Sequence, residues 1–325
     1  MRIAVTGSIA NDYLMTFPGR FAEQMVPDQM HRLSLSFLVD ELDIRRGGVA
    51  ANICFGMGRL GERPILVGAV GTDFVDYRAW LDRHGVDTAS IRVSELKHTA
   101  RFLCTTDVEQ CQIASFYTGA MAEARLIELS PVADRVGGLD LVLVSPNDPE
   151  AMLRHTDEAR AMGVPFAADP SQQLARMEGP EIRRLVDGAQ FHFTNDYEAA
   201  LVEQKTGWSH DEVLSRVEHW VVTLGAKGCG VYRAGEADIE VAAVPERAKV
   251  DPTGVGDAFR SGFLTGRAWG LELERCAQLG NLLATYVLET VGPQEYVIER
   301  ATFLQRFTES YGDDAAAEVA ARLAG

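Results

Sequence analysis

The segment DPTGVGD at 251–257 combines residue types that are suited to chemistry on a phosphate. Gly254 and Gly256 allow a tight turn where a helix begins, and the free N–H groups of a first helical turn, including that of Val255, bind anions. Asp257 adds a carboxylate, which a phosphate repels. That repulsion is useful if the carboxylate takes a proton from a hydroxyl that attacks the phosphate. The structural alternative is a glycine turn followed by an Asp that the helix dipole favours.

The pattern of apolar residues indicates which elements would position this segment. Short apolar runs, typical of buried strands, occur at 2–6, 64–70, 139–144, 165–168, 191–194 and 220–224. Longer amphipathic segments, typical of helices, occur at 50–60, 73–84, 149–162, 254–269 and 273–289. Strands that alternate with helices form parallel sheets with helices on both faces. The sequence therefore predicts an α/β fold with a mostly parallel central sheet.

Two stretches break this alternation. The first contains LSLSFLV at 33–39, an alternating pattern, and the second contains RFLCTTD and QIASF, which predict a hairpin with its turn near 107–111. We expect both stretches to form a small β-sheet that is inserted into the larger domain. The large domain would then comprise residues 1–12, 47–98 and 117–325, and the small sheet would comprise 13–46 and 99–116.

The segment GMGRLG at 56–61 fits the GxGxxG pattern of dinucleotide-binding folds. That pattern must follow a strand and open a helix. Here it lies late in a predicted helix and precedes a predicted strand. Close packing of this helix against a neighbour is therefore the better interpretation.

Composition excludes several classes of function. The formal net charge of −16 repels polyanions, so we expect no nucleic-acid partner. Five cysteines without a CxxC pair give little support to a zinc site or a disulfide framework, and they favour a reducing compartment. The start of the chain does not read as a signal peptide and no long apolar run occurs, so we expect a cytoplasmic protein without membrane contact.

Five sequence blocks together resemble the ribokinase-like (PfkB) family of carbohydrate and nucleoside kinases. They are RGGVAAN at 46–52 with LG at 60–61, VGAVGTDF at 67–74 with GVD at 85–87, NDYE at 195–198, TLGAKG at 223–228, and DPTGVGD at 251–257. Within the family, the likeness to adenosine kinases of mycobacteria and related actinobacteria is closer. The blocks that carry it are AVTGSIAND, LSLSFLVD, HTARF, ADPSQQLAR and TNDYE.

The resemblance implies roles at the phosphate-donor end. Asp257 would be the general base, and the N–H groups of Gly254, Val255 and Gly256 would hold the transferred phosphoryl group. Glu198, with Asn195, would organise Mg²⁺ through water molecules, although a solvated helix face is the alternative for Glu198. The residues that would line ATP are Thr223, Gly225, Gly228 and Asn281, with Arg176 as a phosphate contact or an ordinary surface residue. Oxygens of the loops that contain Asp251, Thr253 and Gly292 would hold K⁺.

The resemblance also implies an acceptor end. Asp12, which we expect in the loop after the first strand, would accept hydrogen bonds from sugar hydroxyls, and Gly48 and Asn52 would close on the same hydroxyls. Ser8 and Ser36 are candidates for contacts to the base or the ribose, or are ordinary strand and loop hydroxyls. The candidates for binding a purine are the ring pair Phe102 and Phe116, and the amides of Gln172 and Gln173. The two rings could sandwich a base or only pack the small sheet.

These roles together imply ATP-dependent phosphorylation of adenosine on its 5′-hydroxyl to give AMP. A ribokinase-like kinase of ribose or a hexose is the alternative, and a catalytically silent nucleoside sensor is a third. Both Asp257 and Glu198 are present, which argues against the silent sensor. The small sheet would act as a lid that excludes water, and the family implies a homodimer formed through the lid sheets.

Overall fold

The short apolar runs form strands because their side chains are buried on both faces of one sheet. The computed structural model describes residues 1–25 and 35–323, and all statements below concern these residues. The strands are β1 (Ile3–Thr6), β2 (Ala10–Thr16), β3 (Glu41–Gly47), β4 (Ile65–Val67), β5 (Ala69–Gly71), β6 (Arg92–Ser94), β7 (Ala100–Thr106), β8 (Gln112–Tyr117), β9 (Leu141–Val144), β10 (Phe166–Ala168), β11 (Phe191–Asn195), β12 (His219–Thr223), β13 (Cys229–Tyr232) and β14 (Ile239–Val241).

The helices alternate with the strands of the large domain. They are α1 (Phe21–Gln24), α2 (Val49–Arg59), α3 (Val75–Arg83), α4 (Leu129–Val136), α5 (Pro149–Ala161), α6 (Gly179–Val186), α7 (Asp196–Thr206), α8 (His210–Leu214), α9 (Val255–Ala268), α10 (Leu273–Leu288), α11 (Arg300–Tyr311) and α12 (Asp313–Ala320). Of the helices in the described ranges, none has both the length and the apolar character needed to cross a membrane.

The central sheet runs in the order β14-β13-β12-β11-β10-β9-β1-β4 within the described residues. The strands from β4 to β12 pair in parallel, whereas β13 and β14 are antiparallel at one edge. The predicted mostly parallel sheet is therefore confirmed. Its carboxyl edge carries the loops that follow β1, β9, β10, β11 and β12, and ligands of open α/β sheets bind at this edge.

Alternate residues of each central strand enter two different cores. Ile3 and Val5 of β1 pack with α2, α3 and α9 to α12, whereas Ala4 packs on the opposite face with α4 to α8. In β9, Leu141 and Leu143 face the first core, and the two valines face the second. Helices therefore cover both faces, as the alternation of apolar runs predicted.

A second sheet, of order β3-β2-β7-β8, is formed by segments from both stretches that break the alternation. β2 pairs antiparallel with β3 and parallel with β7, and β7 and β8 form the predicted hairpin. The boundaries differ from the prediction, because β2 begins at Ala10. Asp12 is consequently a strand residue and does not lie in a loop after β1.

Two strand predictions need correction. The run 64–70 is divided at Gly68 into β4 of the central sheet and β5, which pairs with β6. Of LSLSFLV, residues 33–34 lie outside the described residues, and 35–39 form no strand although their apolar residues alternate. The strand that pairs with β2 is instead the more polar β3, so pairing with a neighbour and not the apolar pattern decides which segment joins the sheet.

The glycines of GMGRLG allow close packing of α2. A Cβ atom on Gly56 would lie 2.5 Å from the Ser261 hydroxyl of α9, and one on Gly58 would lie 1.9 Å from the carbonyl oxygen of His84. The Ser261 hydroxyl is also close to the Ile53 carbonyl oxygen, at 3.0 Å. These contacts hold α2 against α9 and against the C-terminal end of α3, which agrees with the packing interpretation of this motif.

We predict that Gly58→Ala lowers the free energy of unfolding. Overpacking a buried contact costs about 1–3 kcal/mol, whereas the gain in helix propensity from Gly to Ala is at most about 1 kcal/mol. The urea midpoint measures the change. Arg59→Ala, a change at the next residue of α2 that introduces no clash, is the control and should cost less. A Gly58→Ala protein as stable as the wild type would contradict the packing argument.

Candidate active site

The N-terminus of α9 presents unbonded backbone N–H groups. Gly254 is the N-cap residue in a left-handed conformation, with φ of 79°, and no side chain caps the helix. A Cβ atom at this position would lie 2.5 Å from Cβ of Pro293, so a side chain would be both strained and obstructed. The Val255 N–H is directed at the Pro252 carbonyl oxygen at 3.4 Å, and the Gly256 N–H of the same turn is left to bind an anion.

Asp257 lies in this first turn beside the N–H groups, and its carboxylate is enclosed by other polar residues. Burial raises the pKa of Asp257 to about 7, and the charges of Asp169 and Asp12 also raise it. Two contacts act in the opposite direction: the Asn52 side-chain N–H, which donates to Oδ2 at 2.9 Å, and the charge of Arg260. A carboxylate with a pKa near neutrality is suited to accept a proton at physiological pH.

A cavity of about 530 Å³ opens at the α9 N-terminus. It brings together most of the residues predicted for the phosphate-donor end: Gly254, Val255, Gly256, Asp257, Asn195, Glu198, Thr223, Gly225, Gly228 and Asn281. The lining comes from the carboxyl edge of β11 and β12 and from α9 and α10. A different cavity, of about 620 Å³, lies between the C-terminal ends of α2 and α3, and none of the predicted site residues lines it.

Contacts with β14 shape the far end of the 530 Å³ cavity. A Cβ atom on Gly228 would lie 1.9 Å from the Val241 carbonyl oxygen, so only glycine fits there. The Asn281 amide nitrogen donates to the carbonyl oxygens of Val241, at 3.3 Å, and Ala242, at 3.1 Å. The amide oxygen of Asn281 takes no part in these two bonds and is available to a ligand.

Glu198 is held by three hydrogen bonds at the entrance of α7. It forms a capping box with Asn195, in which each side chain accepts the other residue's backbone N–H, at 2.7 and 2.8 Å. The Ser171 hydroxyl donates to the second Glu198 oxygen at 3.1 Å, and Ser171 has a strained φ of 42°. The position of Glu198 is therefore fixed, and the carboxylate does not lie on a freely solvated helix face.

The residues around Glu198 fit Mg²⁺ held through water and phosphate oxygens. Among residues 1–25 and 35–323, no group of three or more His, Cys, Asp or Glu side chains is placed to bind a metal directly. Mg²⁺ usually takes only one or two carboxylates together with water and substrate phosphates. The charge of Glu198 raises the pKa of the buried Asp169, so the two carboxylates are close enough to interact. One Asp169 oxygen has no hydrogen-bond partner and could accept a bond from a water molecule bound to Mg²⁺.

The residues predicted for K⁺ fit that ion only in part. The Asp251 carboxylate accepts the backbone N–H groups of Thr253 and Gly292, at 2.9 and 3.0 Å, and the Arg45 guanidinium lies 3.7 Å away. Although burial would raise the pKa of Asp251, these groups together lower it. A cationic group, the Arg45 guanidinium, already faces this carboxylate. The binding of K⁺ at these loops stays a prediction.

The acceptor residues lie on one face of the second sheet. Across its four strands, Arg45, Asp12, Phe102 and Phe116 pair in register, so they form one row and share a face. Burial raises the pKa of Asp12 to about 6, Arg45 lowers it and Asp251 raises it. Arg45 of this row lies 3.7 Å from Asp251, in the loop before α9, so the row faces the α9 N-terminus.

The N-terminus of α2 lies between this row and α9. Gly48 is its N-cap residue with φ of 93°, and a Cβ atom there would lie 2.6 Å from the backbone nitrogen of Ala10. The Ser8 hydroxyl accepts the Val49 N–H at 3.0 Å, so Ser8 supports the helix terminus. Asn52 follows one turn later and reaches Asp257.

Four predicted residues lie elsewhere. Ser36 is exposed outside the strands, and Arg176 is exposed and does not line the 530 Å³ cavity. Gln172 lines that cavity beside Glu198, away from the two phenylalanines, and Gln173 donates its amide N–H to the Asn147 carbonyl oxygen at 2.6 Å. The expected pairing of both glutamines with a purine edge is therefore not supported, because one is at the phosphate-donor end and the other is already bonded.

A buried ion pair beside Asp257 was not among the residues predicted from the sequence. The Arg260 guanidinium donates to Asp169 at 2.5 Å and to the Gly256 carbonyl oxygen at 3.0 Å, and both charged residues are nearly inaccessible. Burial raises the pKa of Asp169 to about 6 even though Arg260 lowers it. Their positions in the sequence could have indicated this pair. Arg260 lies three residues after Asp257 and so on the same face of α9, and Asp169 directly follows β10 at the carboxyl edge of the sheet.

Comparison with known proteins identifies the family of this chain. Residues 12–300 match the model of the pfkB family carbohydrate kinases. The nucleoside kinase of Methanocaldococcus jannaschii is 30% identical over 250 residues, which are 76% of this chain and 80% of the relative. The structure of Burkholderia thailandensis nucleoside kinase in complex with inosine is 35% identical, has a TM-score of 0.83, and covers 96% of this chain and 98% of its own.

The M. jannaschii enzyme has itself been solved as an archaeal member of the ribokinase family, with 25% identity, a TM-score of 0.82, and coverage of 95% of this chain and 99% of its own. The family resemblance read from five short blocks of sequence thus extends over nearly the whole fold. This chain belongs to the pfkB family of carbohydrate kinases.

Proposed function

We propose that this chain is a cytoplasmic nucleoside kinase that transfers the γ-phosphoryl group of ATP to the 5′-hydroxyl of adenosine. The product is AMP, so the reaction would serve purine salvage. The observation that carries the proposal is the position of Asp257. Its carboxylate lies between the 530 Å³ cavity at the α9 N-terminus and the row of Asp12, Phe102 and Phe116 on the second sheet.

The geometry supports distinct roles for the groups around Asp257. The carboxylate takes the proton of the attacking hydroxyl, and the N–H groups of Gly254, Val255 and Gly256 stabilise charge on the transferred phosphoryl group. Asn52 orients the carboxylate, and Arg260 adds a fixed positive charge nearby. Mg²⁺ near Glu198, when bound, would neutralise charge on the ATP phosphates.

Two features of the acceptor side favour a nucleoside over a free sugar. Asp12 can accept hydrogen bonds from two vicinal hydroxyls, as a ribose offers. Phe102 and Phe116 lie opposite one another in the same row, and Phe116 is 43% exposed, so an aromatic surface is open to a flat base. The relatives named as nucleoside kinases, one of them solved with inosine, add support for this acceptor class.

We also propose that the four-stranded sheet closes over the acceptor and that its outer face pairs with a second copy. Leu42, Ile44, Ile113 and Tyr117 project from the face opposite Asp12 and are 41–55% exposed. An apolar sheet face of this kind in water favours association. A homodimer would cover this face on both chains.

The acceptor preference is tested by comparing kcat/KM for adenosine, inosine, guanosine, cytidine, ribose and fructose with ATP and Mg²⁺. We expect adenosine to be preferred and ribose to be poor, because ribose cannot contact the phenylalanine pair and its binding energy cannot orient the hydroxyl. Phe116→Ala should raise KM for adenosine and leave the rate with ribose unchanged. A value for ribose equal to or above that for adenosine would reject the nucleoside kinase in favour of a sugar kinase.

We predict that Asp257→Asn lowers kcat by about 10²–10⁴-fold, the usual contribution of a positioned general base. The affinity for adenosine should change little, because Asp12 and the aromatic pair remain. ATP should bind equally or more tightly, because a negative charge beside its phosphates is removed. The kcat and both dissociation constants should be measured on the same preparation. A folded variant that turns over near the wild-type rate would show that Asp257 is not the base.

We predict that Ile44→Lys converts the dimer to a monomer, since a charge would have to be buried in an apolar interface. Sedimentation velocity of the variant and the wild type measures the change. Val75→Lys, at an exposed apolar position on α3 outside the second sheet, is the control. A wild-type protein that is monomeric at micromolar concentration, or an Ile44→Lys dimer, would contradict the proposed interface.

A further inference from the structure

Asn52, the hydrogen-bond donor to Asp257, belongs to a buried chain of polar side chains that the proposed function leaves unexplained. The Asn52 amide oxygen accepts an N–H from Gln294 at 2.8 Å, and Gln294 is 1% exposed. On its other side, the Gln294 amide oxygen accepts the indole N–H of Trp80 at 3.2 Å. The chain therefore runs from Trp80 on α3, through Gln294 in the loop after α10, to Asn52 on α2 and Asp257 on α9.

The indole N–H determines the direction of every bond in this chain. An indole nitrogen can only donate, so it fixes the Gln294 oxygen towards Trp80 and the Gln294 nitrogen towards Asn52. The Gln294 nitrogen in turn fixes the Asn52 oxygen towards itself, which leaves the Asn52 nitrogen to face Asp257. A flipped Gln294 would place two donors against each other at Trp80 and two acceptors against each other at Asn52, a large cost in a buried site.

Tyr77 supports the same orientation from a second direction. Its hydroxyl donates to the Gly47 carbonyl oxygen at 2.9 Å, so its lone pairs face the Gln294 nitrogen, which is 2.5 Å away. The two hydrogens of the Gln294 amide thus have two separate acceptors, Asn52 and Tyr77. The buried donors and acceptors of these side chains are all paired only when the Gln294 and Asn52 amides have the orientations described. The network therefore has one favourable arrangement of its hydrogen bonds.

We propose that Trp80 and Gln294 are positioning residues that hold Asn52 with its N–H, and not its oxygen, against the catalytic carboxylate of Asp257. The inference rests on the proposed role of Asp257 as the base. Without the relay, Asn52 can rotate and present a lone pair to the carboxylate, which disfavours the ionised form that accepts a proton. Trp80 does not line the 530 Å³ cavity and is not part of the row of acceptor residues, so it would act on Asp257 only through the two amides.

Other charges around Asp257 remain in place when the relay is broken. Asp12 from β2 and Asp169 from the loop after β10 raise its pKa, and Arg260 from α9 lowers it, while Glu198 from α7 acts on Arg260. None of these groups donates or accepts a hydrogen bond within the Trp80–Gln294–Asn52 chain. A change at Trp80 therefore alters the hydrogen bond at Asp257 and leaves these charges where they are.

The test is the pH dependence of kcat/KM for Trp80→Phe, with ATP, Mg²⁺ and the nucleoside that the acceptor comparison selects. Phe keeps an aromatic ring against Phe55 and Arg46 and removes only the donor. A base must be ionised, so the rate falls below its pKa. Loss of the Asn52 N–H raises that pKa, so the acid limb should move to higher pH. The full loss of one charge-assisted hydrogen bond corresponds to about one unit, and the shift in Trp80→Phe should be smaller because Tyr77 still bonds to the Gln294 nitrogen. The rate on the alkaline plateau should not change.

Two further variants separate this role from a structural one. Gln294→Met keeps the length of the side chain but has no amide to accept from Trp80 and donate to Asn52. The acid limb of its pH profile should therefore also move to higher pH. Trp208→Phe is the matched control, because Trp208 also packs against two arginines, Arg183 and Arg216, but lies outside the network. It should retain the wild-type pH profile.

The outcomes distinguish the inference from the function on which it rests. An inactive Asp257→Asn protein together with a wild-type acid limb in folded Trp80→Phe and Gln294→Met would overturn the relay alone. An Asp257→Asn protein with near-wild-type turnover would overturn both the base and the relay. A loss of nucleoside affinity in Trp80→Phe without any shift of the acid limb would assign Trp80 a packing role and also overturn the inference.

Discussion

The rest of the site depends on the burial of one carboxylate at the N-terminus of a helix. A buried carboxylate is unfavourable unless its charge is met by donors or by cations. Asp257 receives an N–H from Asn52 and the charge of Arg260, and it still retains a pKa of about 7. Because Asn52 is on α2, this balance requires α2 and α9 to pack closely, which the small residues Gly56 and Ser261 permit. The packing of α2 on α9 and the acid–base chemistry of Asp257 therefore depend on the same contacts.

Local positive charge explains how such an acidic chain can accept a polyanionic co-substrate. The net charge is −16, yet the α9 N-terminus combines unbonded N–H groups with the buried Arg260. A second guanidinium, Arg45, comes from the small sheet and faces Asp251. Each arginine is paired with a carboxylate, Asp169 or Asp251, so neither is a buried charge without a partner. The field at the site is therefore set by groups within a few ångströms and not by the total charge.

The sequence predicted what depends on local pattern and missed what depends on contacts between distant segments. Apolar runs predicted the central strands, and the glycines of 254–256 predicted the anion-binding turn. Residues 35–39 alternate like a strand but are not one, because the partner of β2 was decided by long-range pairing with 41–47. Trp80 and Gln294 are 214 positions apart in the chain, so no periodicity or motif could connect them. Ser36 and the two glutamines were carried over from short matching blocks, which fix a residue type but not its surroundings.

The small sheet buries few apolar side chains of its own. A buried apolar cluster at the sheet consists of Ala10, Ala100 and Met121, and the buried rings of Phe17 and Phe21 stack beyond the end of β2. One face carries Asp12 and the phenylalanine pair, and the other carries exposed apolar side chains, so neither face closes a core by itself. The sheet is fixed to the large domain by Asp73, which bonds to Thr99 and Arg101 at β7, and by the segment 45–52, which ends β3, begins α2 and contains Asn52. The Tyr77 hydroxyl bonds to Gly47 within that segment. A nucleoside bound against the face that carries Asp12 would therefore lie close to the segment that contains Asn52, which orients the Asp257 carboxylate. Binding of the acceptor and alignment of the general base would then depend on the same short segment of the chain.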